Sequence, residues 1–350
     1  MNSLYIGVGL TIITALVAAL VGPFFIDWGL FRTSFEAEAE RIFGAKVTVL
    51  GSIDARLLPS PWLSLGDVVV GSVDRPAGKI GRFEARLELT PLLKGEFHIS
   101  ELRLDRPSLS VALKRNGTLA LTGDPAPVAG TRRDLGDASL EMAEIVDGRI
   151  DFADERAGRS FALERINGIV SGSALAGPLK AEGGAVAMGQ SVAFRLAMGR
   201  VTAERAVPVK LQVTPGGEPV VVTVDAALSL TGGPPRATGM AVVQRIDPEA
   251  KTDRGDPGPT PWRLESRFAV DPARLDLDPL TLAIGPDDRA YQLNGRGRID
   301  LGLTPNFDLA LTAKQIDLDR ALAGRVGEAV DLDGVARRVL GTIAGLPVPD

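Results

Sequence analysis

The feature that most constrains this chain is an alternation of apolar and polar side chains that keeps returning over more than two hundred residues. In residues 80–89, Phe83, Ala85, Leu87 and Leu89 occupy one parity while Arg82, Glu84, Arg86 and Glu88 occupy the other. That is the period of a strand with one face buried and one face wet. The same pattern returns at Leu109/Val111/Leu113, Phe194/Leu196/Met198, Val209/Leu211/Val213, Val220/Val222/Val224 and Leu264/Phe268/Val270. Its longest run passes through Tyr291, Leu293, Ile299, Leu301 and Leu303 and continues at once into Phe307/Leu309/Leu311. A chain written this way is mainly β. Its 40 Gly and 24 Pro supply turns between many short strands of antiparallel type. Asn116-Gly117 has the chemistry of a two-residue type I′ hairpin turn returning the chain through Leu119 and Leu121.

Residues 4–26 (LYIGVGLTIITALVAALVGPFFI) contain no charged side chain. As a helix rising about 1.5 Å per residue they reach roughly 34 Å, enough to cross a hydrocarbon core of about 30 Å. Residues 1–27 are therefore expected to be a transmembrane anchor. A cleaved signal peptide is the competing reading, with Val17-Ala18-Ala19 as its cleavage site. Against it, Met1-Asn2-Ser3 has no Lys or Arg and the apolar run exceeds a usual signal core. The first nearby cation, Arg32, follows the segment, so charge alone sets its orientation weakly.

Residues 28–44 read as an amphipathic connecting helix. Thr33 with Glu36 forms a capping box, Phe35, Ala39 and Ile42 recur at helical spacing, and Gly44 ends the helix. Residues 45–350 read as one β-rich domain, because the strand pattern resumes after each Pro/Gly-rich interruption at 124–130, 232–235 and 247–261. A second helical stretch is expected at 319–343.

Composition removes several functions. The formal net charge is -5 and there is no long basic run, which argues against nucleic acid. Cysteine is absent, so no disulfide, thiolate nucleophile or thiolate metal site exists, and His98 is the single histidine. The pairs Asp276/Asp278, Asp317/Asp319 and Asp331/Asp333 put two carboxylates close together, yet Asp331-Leu332-Asp333-Gly334 lacks the third acid and distal Glu of a calcium loop. They read as solvated strand ends or helix starts. No catalytic, cofactor-binding or metal-binding residue is assigned, and the expectation is a protein that is not an enzyme.

The order of segments carries a family resemblance. The apolar segment and helix are followed by Phe43-Gly44-Ala45-Lys46-Val47-Thr48-Val49 and then by Gly51-Ser52-Ile53-Asp54-Ala55-Arg56-Leu57-Leu58-Pro59-Ser60-Pro61-Trp62-Leu63-Ser64-Leu65-Gly66-Asp67-Val68. Together with LRLDRPSLSVALKRNGTLAL (102–121), VDGRIDFAD (146–154), LAGPL (175–179) and FDLALTAKQIDLDRAL (307–322), this order resembles the AsmA family of bacterial inner-membrane-anchored proteins with a periplasmic β-domain. Asn116-Gly117-Thr118-Leu119-Ala120-Leu121 lacks the Trp that often follows this hairpin in the family. Family length implies that the chain is the N-terminal part of a longer protein.

The resemblance implies an elongated, strongly curved sheet forming an apolar trough like that of bridge-like lipid-transfer proteins. Phospholipid acyl chains lie in such a trough, carried from the inner towards the outer membrane. Phe83, Leu87, Leu89, Leu109, Val111, Phe268, Leu293, Leu301 and Leu309 are the expected lining. Implied partners are phospholipid, the inner membrane and periplasmic or outer-membrane assembly proteins. The alternative function is a scaffold or regulator of outer-membrane assembly without lipid cargo. Alternation by itself fits an ordinary β-sandwich equally well.

Overall fold

The structure is a computed structural model that describes residues 27–43, 45–56, 58, 60–92, 99–122, 140–172, 178–200, 202, 206–217, 219–229, 233–245, 261–285 and 291–313. The expected anchor, apart from Asp27, and the expected helix at 319–343 lie outside these residues. Among the described residues no helix is long and apolar enough to cross a membrane.

Seventeen strands join in one mixed sheet. They are β1 (Val47–Val49), β2 (Ile53–Arg56), β3 (Trp62–Gly71), β4 (Pro76–Leu87), β5 (Ile99–Leu113), β6 (Leu119–Leu121), β7 (Leu140–Asp154), β8 (Arg159–Gly172) and β9 (Leu179–Ala187). The sheet continues through β10 (Gln190–Met198), β11 (Ala206–Pro215), β12 (Val220–Ser229), β13 (Arg236–Arg245), β14 (Trp262–Val270), β15 (Arg274–Ile284), β16 (Tyr291–Asp300) and β17 (Asn306–Ala313).

β1 and β2 lie end to end along one edge of β3, and β6 prolongs the position of β4 beside the last residues of β5. The other strands follow one another in chain order from β7 to β17. Neighbours are antiparallel except β5 and β7, which run parallel. This departs from the purely antiparallel sheet the alternation led one to expect. After the hairpin at 114–118, β4 already fills most of the return position, leaving room for only three residues of β6. The chain re-enters on the free side of β5 through residues 122–139, a crossover of the length that a parallel pair needs.

A diagonal seam crosses the first strands. Asp67, Arg106, Asp147 and Arg165 have φ of 48°, 50°, 54° and 49° on β3, β5, β7 and β8, with Gly81 in line on β4. Left-handed backbone at a non-glycine residue costs roughly 1–2 kcal/mol. Extra residues of this kind bend a strand and increase its twist. The seam also shifts the phase of alternation by one residue: inward positions pass from Leu63 and Leu65 to Val68 and Val70, and from Gly78 and Ile80 to Phe83 and Ala85.

The helix α1 (Arg32–Phe43) follows a 3₁₀ turn, Trp28–Phe31. The cap is Asp27, whose Oδ1 accepts the Gly29 N–H at 2.9 Å, and Thr33 lies inside the helix, so the expected capping box is not formed. Glu36 is used elsewhere: its Oε1 accepts the Val49 N–H at 2.7 Å, and Glu40 Oε1 accepts the Val47 N–H at 3.3 Å. Arg32 donates to the Val49 and Gly51 carbonyls. These side chains occupy the backbone groups along the outer edge of β1. Trp28 of the 3₁₀ turn, with Phe35 and Ala39 of the helix, packs on a core of Val47, Val49, Ile53, Leu65 and Val68.

Two rims of the sheet touch. Arg159 Nη2, at the start of β8, donates to the Leu303 carbonyl at 3.1 Å in the turn between β16 and β17. In addition, Pro234 before β13 packs against Gly117 of the β5–β6 turn. The nine steps from β8 to β17, at roughly 20–25° of twist each, turn the strand direction by about half a revolution. That rotation is what brings opposite rims of a coiled sheet together.

Candidate functional site

Register assigns every strand residue to one of the two faces. One row of paired residues crosses the whole sheet: Ala55, Leu63, Ala85, Leu102, Ala143, Val170, Ala181, Leu196, Leu211, Val224, Ala241, Ser266, Leu280, Gly295 and Leu311. None of these side chains is charged. The hydroxyl of Ser266 donates to the Arg267 and Pro279 carbonyls at 2.8 and 3.0 Å, so it presents no free donor.

The opposite face carries ion pairs between neighbouring strands. These include Arg86–Glu101 at 2.7 Å, Arg103–Glu144 at 2.6 Å, Lys210–Asp225 at 2.9 Å and Arg298–Asp276 at 2.7 Å. The hydrogen bond from Arg298 holds the Asp276 carboxyl below its ordinary range, with the positive charge of Arg298 and then Arg274 adding to the effect. Asp151 and Glu164 raise the Arg149 guanidinium above its ordinary value. All these pairs are solvated and serve the wet face rather than a reaction centre.

The face that carries this row is the crowded, concave one. A Cβ built on Gly183, Gly239 or Gly295 would overlap the carbonyl oxygen of Asn167, Asp225 or Ala310 on the neighbouring strand. Only glycine lets the backbones converge there. Towards β17 this face is open, with Phe307 67% and Leu309 58% exposed. Phe161 and Leu121 are also exposed on it.

Of the nine residues expected to line a trough, Phe83, Leu87, Leu109, Val111, Phe268, Leu293 and Leu309 stand on this face. Leu89 does not, because it opens the short helix α2 (Leu89–Leu92) just past β4. Leu301 also lies outside a strand: β16 ends at Asp300, and the Leu301 N–H donates to the Ala273 carbonyl at 2.7 Å as the chain turns. Sequence reading left out Phe194, Leu196, Leu211 and Val224, which occupy the middle of the same face. Their alternation was visible, but their connection to the outer strands required the register.

The expected turn at Asn116-Gly117 is of another kind. The Gly117 N–H bonds to the Lys114 carbonyl and only Gly117 has positive φ, at 80°. The turn is therefore centred on Arg115 and Asn116, with Gly117 as the left-handed residue after it. Asn116 Oδ1 accepts the Thr118 N–H at 3.0 Å, which locks this geometry. Asp276 is ion-paired on the outer face and Asp278 is exposed, while the other two acidic pairs lie outside the described residues. Among the described residues no group of three or more His, Cys, Asp or Glu could hold a metal ion.

The fold and this face define the class: a protein built on a single coiled mixed β-sheet whose concave face carries an uncharged row from β2 to β17, with Arg245 entering that face at the end of β13. The AsmA family model matches residues 4–127, so this part of the chain, through β6, is similar to AsmA-family sequence. No curated protein and no solved structure matches the chain.

Proposed function

We propose that the chain is a cell-envelope protein of the periplasm, anchored in the inner membrane by residues 1–27, that carries phospholipid acyl chains along the concave face towards the outer membrane. The observation that carries this reading is the uncharged row from Ala55 to Leu311. An acyl chain gains from apolar contact and loses heavily beside an unpaired charge, so an unbroken apolar path is the feature such cargo requires. Head groups would stay in water at the rims. The match to the AsmA family model over residues 4–127 supports the envelope location, and no step of this function calls for a catalytic group. Assembly proteins of the envelope are the partners expected at either end.

Photo-crosslinking tests the reading. A benzophenone amino acid placed at Phe268, Leu293 or Leu309 should capture labelled phospholipid, whereas one at Arg298, Asp308 or Glu265 on the wet face should not. Equal capture from both faces would defeat the lipid reading. Leu293→Arg should abolish rescue of detergent resistance in a strain lacking the protein while leaving its abundance unchanged. Outer-face Arg298→Glu should rescue normally.

A further inference from the structure

We propose that the meeting point of the two rims is a binding site for a phosphate group. Arg115, Asn116, Arg156, Pro234, Arg236 and Asp271 surround a cavity of about 230 Å³ there. Three arginines thus line it, from the β5–β6 turn, the β7–β8 turn and the first residue of β13, in a chain whose net charge is -5. Bringing them together is electrostatically unfavourable unless an anion is recovered.

The acids nearby do little to balance them. Asp154 lies 4.0 Å from Arg156 and spends its Oδ1 on the Arg156 and Ala157 N–H groups. Asp271 spends its Oδ1 on the N–H groups of Ala273 and Arg274. The exposed side chains of Arg115 and Arg236 make no hydrogen bond or ion pair among the described residues, so two planar donor forks are left open to a ligand. Forked donors of this kind match the paired oxygens of a phosphate better than a point charge does.

The cavity holds a phosphate with a small substituent, and both a lipid head group and a soluble phosphate satisfy that chemistry. Because its walls come from both rims, a bound phosphate also bridges them, adding to the Arg159–Leu303 contact and to the packing of Pro234 on Gly117. The proposal stands apart from lipid carriage: inorganic phosphate has no acyl chain for the concave face.

The test is calorimetric titration of the full-length chain in a neutral detergent, with inorganic phosphate in one arm and short-chain phosphatidylglycerol in the other. Saturable binding in either arm should weaken at least about tenfold in Arg115→Gln/Arg236→Gln, which loses two bidentate partners. It should weaken as salt rises, and it should be unchanged in Arg195→Gln/Arg263→Gln on the outer face. Saturation by inorganic phosphate assigns a soluble ligand, and saturation by the lipid alone assigns a head group. If the double Gln variant does not fold, Arg115→Lys/Arg236→Lys keeps the charge and removes the forks, and a smaller loss of affinity is expected. No saturable heat from either probe at millimolar concentration, or affinity unchanged in the folded arginine variants, would overturn the proposal.

Discussion

The first strands and the last strands are written in the same alternating pattern and end in different physical states. From β1 to β3 the inward face is covered by the 3₁₀ turn and α1, and Val47, Val49, Ile53, Leu65 and Val68 are almost wholly removed from water. From β11 onwards, Val221 and Leu280 are the only buried apolar side chains among the described residues, while Phe307, Leu309 and Leu311 stand exposed on the edge strand. Alternation therefore specifies which side of a strand is apolar but not what covers it. Cover comes from a separate element, and here one helix covers one end of the sheet.

The sharpest way to break this comparison is to place the same charge at both ends. Leu65→Asp buries an unpaired carboxylate where the side chain is 6% exposed, and it should cost about 3–5 kcal/mol or prevent folding. Leu309→Asp, at 58% exposure, should change stability by less than about 0.5 kcal/mol. Urea unfolding followed by circular dichroism reads both, and equal losses would mean that the β17 face is as closed as the β1 core.

Backbone crowding gives the next effect. Gly295→Ala should lose about 1–3 kcal/mol, because the new methyl overlaps the Ala310 carbonyl. Gly184, on the other face, has its nearest neighbour, the Val192 carbonyl oxygen, at 3.6 Å. There Gly→Ala should be neutral or stabilising by about 0.4–1 kcal/mol through the unfolded chain. A loss at both sites would remove the argument for concavity.

Glu36→Ala frees the Val49 N–H at the edge of β1 and should cost about 1–2 kcal/mol. Glu36→Gln, which keeps an acceptor oxygen, should recover most of it. Thermal melts of the pair would decide whether α1 acts through this bond or only through apolar packing.

The smallest effect lies on the wet face. The Asp276 carboxyl is held low by Arg298, so the pair contributes above the ordinary carboxylate range and that contribution fades as pH falls through the depressed value. Asp276→Asn should lower the melting temperature slightly near neutrality and leave it unchanged in strong acid. A loss that persists at the lowest pH would show a packing effect instead.

Much of the fold was legible because period-2 patterning is local. Strands β10, β11, β12, β14 and β16 follow it closely, whereas β13, with Gly239 and Arg245 inward and Met240 and Val242 outward, does not. Where alternation goes too far, a turn residue overrules it: Leu301 and Leu303 keep the phase, yet Gly302 between them and Pro305 after them turn the chain from β16 to β17. Leu89 keeps it too, but Pro91 favours the first turn of a helix. Thr33 and Glu36 have the right spacing for a cap, and a better-placed acceptor at Asp27 took that role while Glu36 met a strand. The bulged seam was hidden for another reason. Each bulge shifts the phase by one, which in sequence resembles a weakened strand and in space leaves the face intact. The rim arginines at 115, 156 and 236 were invisible, since nothing short of the coil of the sheet brings those turns together.

The hydrogen bonds between Arg32, Glu36 and Glu40 and the edge of β1 close that edge of the sheet. An edge whose N–H and C=O groups are already engaged is a poor template for another strand. Among the described residues nothing pairs with the outer side of β17. Of the β1 and β17 edges, that of β17 is the one open to a further strand among the described residues. The helix next to residues 1–27 thereby becomes a fixed origin from which the reach of the sheet is counted.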